Sequence, residues 1–187
     1  MTDDQKYYRT VRFSLTTITE LMIPSYANFG GKIHGGILLS LMDKAAYACA
    51  SKHSSGYCVT VSVDTVDFLQ PIEVGELVAL VATVHHVGNS SMVMGIKVIA
   101  ENVHTSTVRH TNTSYFTMVS KDDKDKLKKV PGLILETKEE VKNFLEAMKR
   151  KEIKEYYKKE LQKIGDELDD LEDEYEILKK ERCLIVY

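Results

Sequence analysis

From Gly35 onward, apolar residues at Ile37, Leu38, Leu41, Met42, Ala45, Ala46, Ala48 and Cys49 cover most of the circumference of a helix. A helix apolar on most sides is buried rather than amphipathic. Residues 53–56 (HSSG) supply its stop. Before it, residues 7–23 read as a first β-like run closed by Pro24, and residues 25–36 (SYANFGGKIHGG) as a glycine-rich loop. After Gly56 the period falls to two. Val59, Val61, Val63, Thr65 and Leu69 share one strand face, and Thr60, Ser62, Asp64, Val66 and Phe68 the other. Residues 77–87 (LVALVATVHHV), 91–102 and 106–120 follow as further strands, with a turn at EVGE and a hairpin at GNSS. The predicted order is β-α-β-β-β-β with short connections, which suits an antiparallel sheet. Such a sheet must bury one face, and the buried helix is the available partner. The expected fold is α+β, a curved sheet wrapped round a central helix.

Beyond Pro131 the pattern changes again. Tyr157, Leu161, Ile164, Leu168, Leu171, Tyr175 and Leu178 recur at spacings of 4, 3, 4, 3, 4, 3, a heptad seam. Val141, Leu145 and Met148 form an earlier stripe that loses phase near Lys151. Charge divides the chain at the same place. Residues 1–120 carry 8 basic and 9 acidic side chains, whereas residues 121–187 carry 17 and 19, or 36 charges in 67 positions. The organisation predicted is a globular domain over 1–125, a linker over 126–136 and a charged helical extension over 137–187. A bend near Arg150 or Gly165 would keep that extension compact.

Composition excludes several classes. No apolar run approaches the ~18 residues of a membrane span, and the polar start MTDDQK is unlike a secretory or transit signal. Three cysteines without CxxC spacing argue against a disulfide framework and a zinc site, and suit a reducing, cytoplasmic setting. A net charge of −3 gives no general drive toward nucleic acid. His85 and His86, adjacent on a strand, point to opposite faces and make poor joint metal ligands. No metal or cofactor is expected.

Asp43 is the most informative residue. It lies between Leu41–Met42 and Ala45–Ala46, where an ionised carboxylate is costly unless paired or used. Gly36, Ser40, Asp43 and Tyr47 are spaced 4, 3, 4 and form one polar stripe. The plainer alternative is an Asp43–Lys44 pair or a solvent-facing stripe. Gly35 and Gly36 open the helix, where unsatisfied N–H groups and the helix dipole favour a ligand carbonyl or oxyanion; a tight turn is the alternative. His34 can cap, pack or touch a ligand, with packing read first.

The run NFGGKIHGGILLSLMD (residues 28–43), followed by VTVSVDTVDFLQPIEVGEL, resembles the acyl-CoA thioesterases of the hotdog fold, of the cytosolic acyl-CoA hydrolase type. Asn28, Gly35, Gly36, Asp43, Phe68, Pro71, Val74 and Gly75 match that family's pattern in order, and RHTNTSYFTMV resembles its final strand. The resemblance covers about residues 8–122. It implies that the chain hydrolyses a fatty acyl-CoA, that CoA enters as part of the substrate, and that the assembly is at least a homodimer, with a trimer of dimers as the higher form. It also implies that the loop Asn and the helix Asp act on one thioester. Gly36 and Asp43, seven residues apart, are about 10 Å apart along a helix, so one reacting carbon cannot sit within ~3–4 Å of both. The expectation is a site shared between protomers: Gly36, with Gly35, holds the oxyanion, Asn28 positions water or carbonyl, and Asp43 is base or nucleophile. Ser40 and Tyr47 are candidates to orient Asp43. Gly88, Asn89, Ser90 and Ser91 of the hairpin, and Arg109, are candidates for the CoA phosphates, Arg109 equally an exposed strand residue. The rival readings are a hotdog hydratase or dehydratase using His34 and a non-catalytic acyl-CoA sensor.

Overall fold

The computed structural model describes residues 7–167, together with 178, 181–184 and 186. Its elements are β1 (Tyr8–Thr10), α1 (Val11–Ser14), β2 (Thr16–Leu21), α2 (Gly35–Ser54), β3 (Tyr57–Val63), β4 (Leu77–Val87), β5 (Ser91–Asn102), β6 (Thr107–Lys121), β7 (Gly132–Ile134) and α3 (Lys138–Glu167). β2-β4-β5-β6-β3 form one sheet, antiparallel at every step, so β2 and β3 are its edges. This is the curled α+β sheet around a helix that the hydrophobic pattern predicts. Val78, Leu80, Ala82 and Val84 of β4, Met92, Met94, Ile96 and Val98 of β5, and Phe116 and Met118 of β6 are buried on one face. Against them lie Leu38, Leu41, Met42, Ala45, Ala46, Cys49 and Ala50 of α2. The small residues at 45, 46, 49 and 50 let the helix backbone approach the sheet closely, and flexible methionines fill the remaining gaps. α2 ends where Ser55 turns into the left-handed region at φ 49°, ψ 48°.

Two sequence expectations change. The first run is not one strand. Thr10 Oγ1 accepts from Phe13 N–H at 3.2 Å and caps the short α1, while Arg9 donates to the carbonyls of Lys52 and His53 at the end of α2. Those otherwise unpaired carbonyls draw the chain off the sheet edge. β3 in turn stops at Val63, after a register shift between Thr60 and Ser62. Residues 64–70 leave the sheet, so the face alternation predicted through Leu69 is interrupted there.

The domain boundary also moves. The chain divides into two compact units, Met1–Ala147 and Met148–Tyr187, so the globular part does not end at 125. The expected linker is built into it. β7 pairs in parallel with β1, and Gly132 lies so close to the Tyr8 ring that any Cβ would collide with it. Val130 is buried and donates to Asn89 O at 2.9 Å. His53, wholly buried, places Nε2 3.2 Å from Pro131 O and Nδ1 3.1 Å from Ser14 Oγ. The carbonyl can only accept, so Nε2 carries the proton and Nδ1 receives the Ser14 hydroxyl. Burial holds the His53 pKa below its ordinary 6.5. Thr137 caps α3 through Glu140 N–H at 3.1 Å, and the Glu140 carboxylate accepts in return from the Glu136 and Thr137 N–H groups, a reciprocal capping box. The Phe144 ring packs on His86, with centroids 4.8 Å apart.

In the second unit, Tyr157, Leu161 and Ile164 of the heptad seam are exposed, at 61%, 49% and 49%. Leu168, Leu171 and Tyr175 lie outside the described residues. α3 runs as one helix through Arg150 and Gly165. Among the described residues no helix is long and apolar enough to cross a membrane.

Candidate active site

Asp43 is half-buried, two turns into α2. Its Oδ1 accepts a 2.6 Å hydrogen bond from Thr60 Oγ1 on β3. The bond exists because β3 follows α2 directly and lies along the edge of the sheet that α2 crosses. No ion pair joins Asp43 to Lys44 among the described residues, whereas Gly36, Ser40 and Tyr47 are exposed and Asp43 is half-buried, so of the plainer readings the Lys44 pair fails and the solvent-facing stripe describes the helix of this chain. A cavity of about 390 Å³ opens beside the carboxylate, lined by Tyr47, Tyr57, Cys58, Val59, Thr60 and Met118 as well as Asp43 and Lys44. The Tyr47 and Tyr57 rings meet edge to face across it, 6.5 Å between centroids. One oxygen of Asp43 is thus held by a hydroxyl while the group borders open space, which suits a positioned general base or nucleophile.

Thr60 is the residue sequence reasoning did not single out. It sat among the polar positions of a Thr/Val-rich strand, with nothing to mark it from Ser62 or Thr65. Neither Ser40 nor Tyr47, the candidates for orienting Asp43, hydrogen-bonds it. Ser40 is exposed, and Tyr47 lines the cavity instead. Hydrogen bonds to a charged group are worth about 1.5–3 kcal/mol. Thr60→Val, isosteric but without the hydroxyl, is therefore expected to lower kcat for acyl-CoA cleavage about 10- to 100-fold. Free-thiol release under saturating substrate checks this.

The other half of the predicted machinery lies elsewhere on the chain. Asn28 organises the loop before α2. Its Oδ1 accepts from the Gly30 and Lys32 N–H groups at 2.9 and 3.2 Å, and its own N–H donates to Lys32 O at 2.7 Å. That leaves Nδ2 as the uncommitted donor of the side chain. At the helix start His34 is neither packed nor idle: it is exposed, and its Nδ1 accepts from Gly36 N–H at 2.9 Å as an N-cap. The Phe68 ring covers Gly35, 3.3 Å from where a Cβ would sit. None of Asn28, His34, Gly35 and Gly36 lines the cavity at Asp43.

The predicted phosphate contacts also separate. In the hairpin, Gly88 N–H is spent on Ser91 O, Ser90 O accepts from Ser120 N–H, and Asn89 O from Val130 N–H. The Ser91–Val119 pairing puts this hairpin at the end of the sheet where Thr60 pairs with Met118. Arg109 pairs with Ala100, nine residues from Met118 along β6, or about 30 Å at 3.3 Å per residue. It is not a free surface cation. Nη1 and Nη2 grip both oxygens of the buried Glu76, and Nη2 also donates to Pro71 O at 2.7 Å. Burial works to raise the Glu76 pKa. The Arg109 hydrogen bonds and the Glu73 N–H outweigh it and hold the carboxyl below its ordinary 4.5.

Among the described residues no cluster of His, Cys, Asp or Glu could hold a metal ion. Burial pushes the Cys49 thiol up to about 12, so it is no nucleophile at neutral pH.

Residues 30–107 match the model of the thioesterase superfamily. The chain is 42% identical over 134 residues to protein VdlD of Helicobacter pylori, covering 72% of this chain and 76% of that one. It is 37% identical over 123 residues to the uncharacterized acyl-CoA thioester hydrolase YkhA of Bacillus subtilis, covering 66% and 72%. Its fold superimposes on a hexameric acyl-CoA thioesterase with TM-score 0.78 at 35% identity, over 80% of this chain and 96% of that one. It superimposes with TM-score 0.77 at 29% identity, over 87% and 99%, on an acyl-CoA hydrolase of Staphylococcus aureus solved with butyryl-CoA, CoA and CoA disulfide. Structures of that hydrolase exist with Asn28, Asp43 or Thr60 changed to alanine, residue types and numbers that coincide with three of this chain. Similarity of this extent, over most of the length of curated relatives, joins with the fold and the Asp43–Thr60 pair in one conclusion: the chain belongs to the thioesterase superfamily, as a member of its acyl-CoA thioester hydrolases.

Proposed function

We propose that this chain hydrolyses fatty acyl-CoA to the free acid and CoA at a site completed by two protomers. The observation that carries the reading is the split of one machinery within one chain. Asp43, held by Thr60, faces its cavity, while Asn28 and the start of α2 lie outside that cavity's lining. β3, which carries Thr60, is a free edge of the sheet with Val61 and Val63 exposed. A second β3 laid against it, related by a two-fold axis, would cover that edge and bring a partner's loop to the Asp43 cavity.

In the shared site Asp43 takes the proton of a water attacking the thioester carbon, or attacks it directly to give an acyl–Asp43 anhydride that water then hydrolyses to the free acid. The carbonyl oxygen gains the charge and is held by the Gly35 and Gly36 N–H groups. His34 already shows the Gly36 donor in use. A substrate oxygen replaces Nδ1 at little cost, because one hydrogen bond is exchanged for another. Asn28 Nδ2 donates to carbonyl or water. Collapse breaks the C–S bond, and the thiolate leaves as CoA with a proton. Thioester and water suffice, so no metal or cofactor is invoked. The complex of the Staphylococcus aureus relative with butyryl-CoA supports an acyl-CoA substrate.

Subunit mixing tests the sharing. Asp43→Asn and Asn28→Ala protomers, each nearly inactive alone, are unfolded, mixed in equal amounts and refolded. A two-fold shared site predicts recovery of about a quarter of wild-type activity, since half the dimers are mixed and each has one intact site. No recovery, with mixed dimers confirmed by mass, places both residues in one chain's site and overturns the proposal.

The similarity to a hexameric relative, which 80% of this chain nearly spans, supports a trimer of dimers assembled by the first unit. A chain ending at Ala147 should keep the full-length oligomeric state by mass in solution. Collapse to dimers would assign the assembly to the exposed Tyr157–Leu161–Ile164 seam instead.

A further inference from the structure

Arg109 makes three side-chain hydrogen bonds, yet it lies far from the Asp43 cavity. Its contacts lead in the other direction. Through Glu76 and Pro71 O it grips both ends of the turn over residues 71–76. The same Glu76 carboxylate accepts from Glu73 N–H at 2.9 Å, and Glu76 N–H donates to Glu73 O. The middle of the turn then holds the loop before α2. Ile72 is buried and its carbonyl accepts from Ile33 N–H at 2.9 Å. Glu73 bridges Lys32 by backbone pairing and by an ion pair. Lys32 is the residue whose N–H and carbonyl both hold Asn28. Upstream, Phe68 lies on Gly35.

We infer that Arg109 is a positioning residue for the oxyanion half of the site, fixing Asn28 and the first turn of α2 through the Glu76-bound turn. The inference rests on the reading of Asn28 as a site residue given above. The physical reason is a single buried anchor. Glu76, at 2% exposure, has Arg109 as its ion-pair partner, and the planar guanidinium alone can hold two carboxylate oxygens and a carbonyl at once. The Lys32–Glu73 ion pair, with both side chains over 40% exposed, is too solvated to fix the loop alone.

The test separates positioning from stability. Arg109→Met and the double variant Glu76→Met/Arg109→Met are compared with wild type in the full chain. Melting temperature, kcat and KM are measured, with thiol release from a medium-chain acyl-CoA as the assay. Replacing both ions by apolar groups of similar volume restores stability, because no charge is left buried alone. It does not restore the grip on Pro71 O and Glu73 N–H. The expected result is therefore a melting temperature near wild type in the double variant with kcat still about 10- to 100-fold down, the cost of misplacing a site by an ångström. Adding Asn28→Ala to it should lower kcat less than Asn28→Ala does alone, because both act through one loop. Recovery of kcat together with the melting temperature overturns the inference. So do fully multiplicative losses with Asn28→Ala. If Asn28→Ala alone turns over normally, the reading of the site fails and the relay with it, whereas an impaired Asn28→Ala beside a fully active double variant sinks the relay only.

Discussion

Asp43→Asn is expected to lower kcat for acyl-CoA hydrolysis by about 10²–10⁴-fold, the range of a positioned acid–base group, and by more if Asp43 is the nucleophile. Asparagine keeps the size of the side chain and its Oδ1 still accepts from Thr60, so the bond that holds position 43 survives. What is lost is the basic, nucleophilic second oxygen. Stability should change little, since Asp43 borders open space and its charge does not anchor any other element. Melting temperature and oligomer mass should match wild type, and binding of CoA by calorimetry should persist. Near-normal turnover in this variant would remove Asp43 from the chemistry and leave the cavity as a binding pocket. A single-turnover experiment in ¹⁸O-water tests for the nucleophile: where water opens the acyl–Asp43 anhydride at the Asp43 carbonyl, ¹⁸O is left in the Asp43 carboxylate, which base catalysis never does.

The second large effect is on stability. Arg109→Met leaves Glu76 buried without its partner, and breaking such a pair costs about 3–5 kcal/mol. Arg109 still meets water over about a quarter of its side chain, so the lower end, about 3 kcal/mol, is expected. In a chain of this length that is a fall of roughly 10 °C in melting temperature. The pH dependence carries its own signature. In wild type the Glu76 pKa is held below its ordinary 4.5, so the unfolded chain binds more protons as pH falls through that region. The pair's contribution is complete above about 4.5 and is lost in acid. Without Arg109, only the Glu73 N–H and the Lys32 charge still oppose burial, so the Glu76 pKa rises from its wild-type position and the stability gained above pH 4.5 shrinks. The gap in melting temperature between the two proteins should therefore be wider at pH 7.5 than at pH 4.5. An unchanging gap would show that Glu76 draws its stabilisation from other groups. His53 adds an earlier acid step in both proteins. Its pKa is lowered from 6.5, so its contribution is full above that pH and declines below it.

Much of this was open to reading from the chain. The apolar wheel from Ile37 to Cys49 could only be a buried helix, and period-two runs of Val and Thr could only be strands that bury one face on it. Asp43 stood out because a lone carboxylate among Leu, Met and Ala is expensive. Thr60 did not, because its role is a single 2.6 Å contact between a helix and a strand, and no spacing along one element encodes a contact between two. Arg109 misled for a related reason. Rare cations in a low-charge domain look available, but Glu76 lies 33 positions away in the chain and reaches it only when β6 and the 71–76 turn come together. The boundary at 125 followed composition. The tertiary contacts of Val130, Pro131, Gly132 and Ala147 carry the domain past it, because burial is decided by neighbours and not by charge content.

By itself, then, the sequence determined the buried helix, the strands from Leu77 to Lys121 with their buried faces, and which carboxylate is costly, since periodicity and desolvation act residue by residue. Only the tertiary structure decided who holds Asp43, what Arg109 and His34 are bonded to and where the domain ends. Those are matters of long-range pairing, in which the geometry of two distant segments must be fixed before either partner has a meaning.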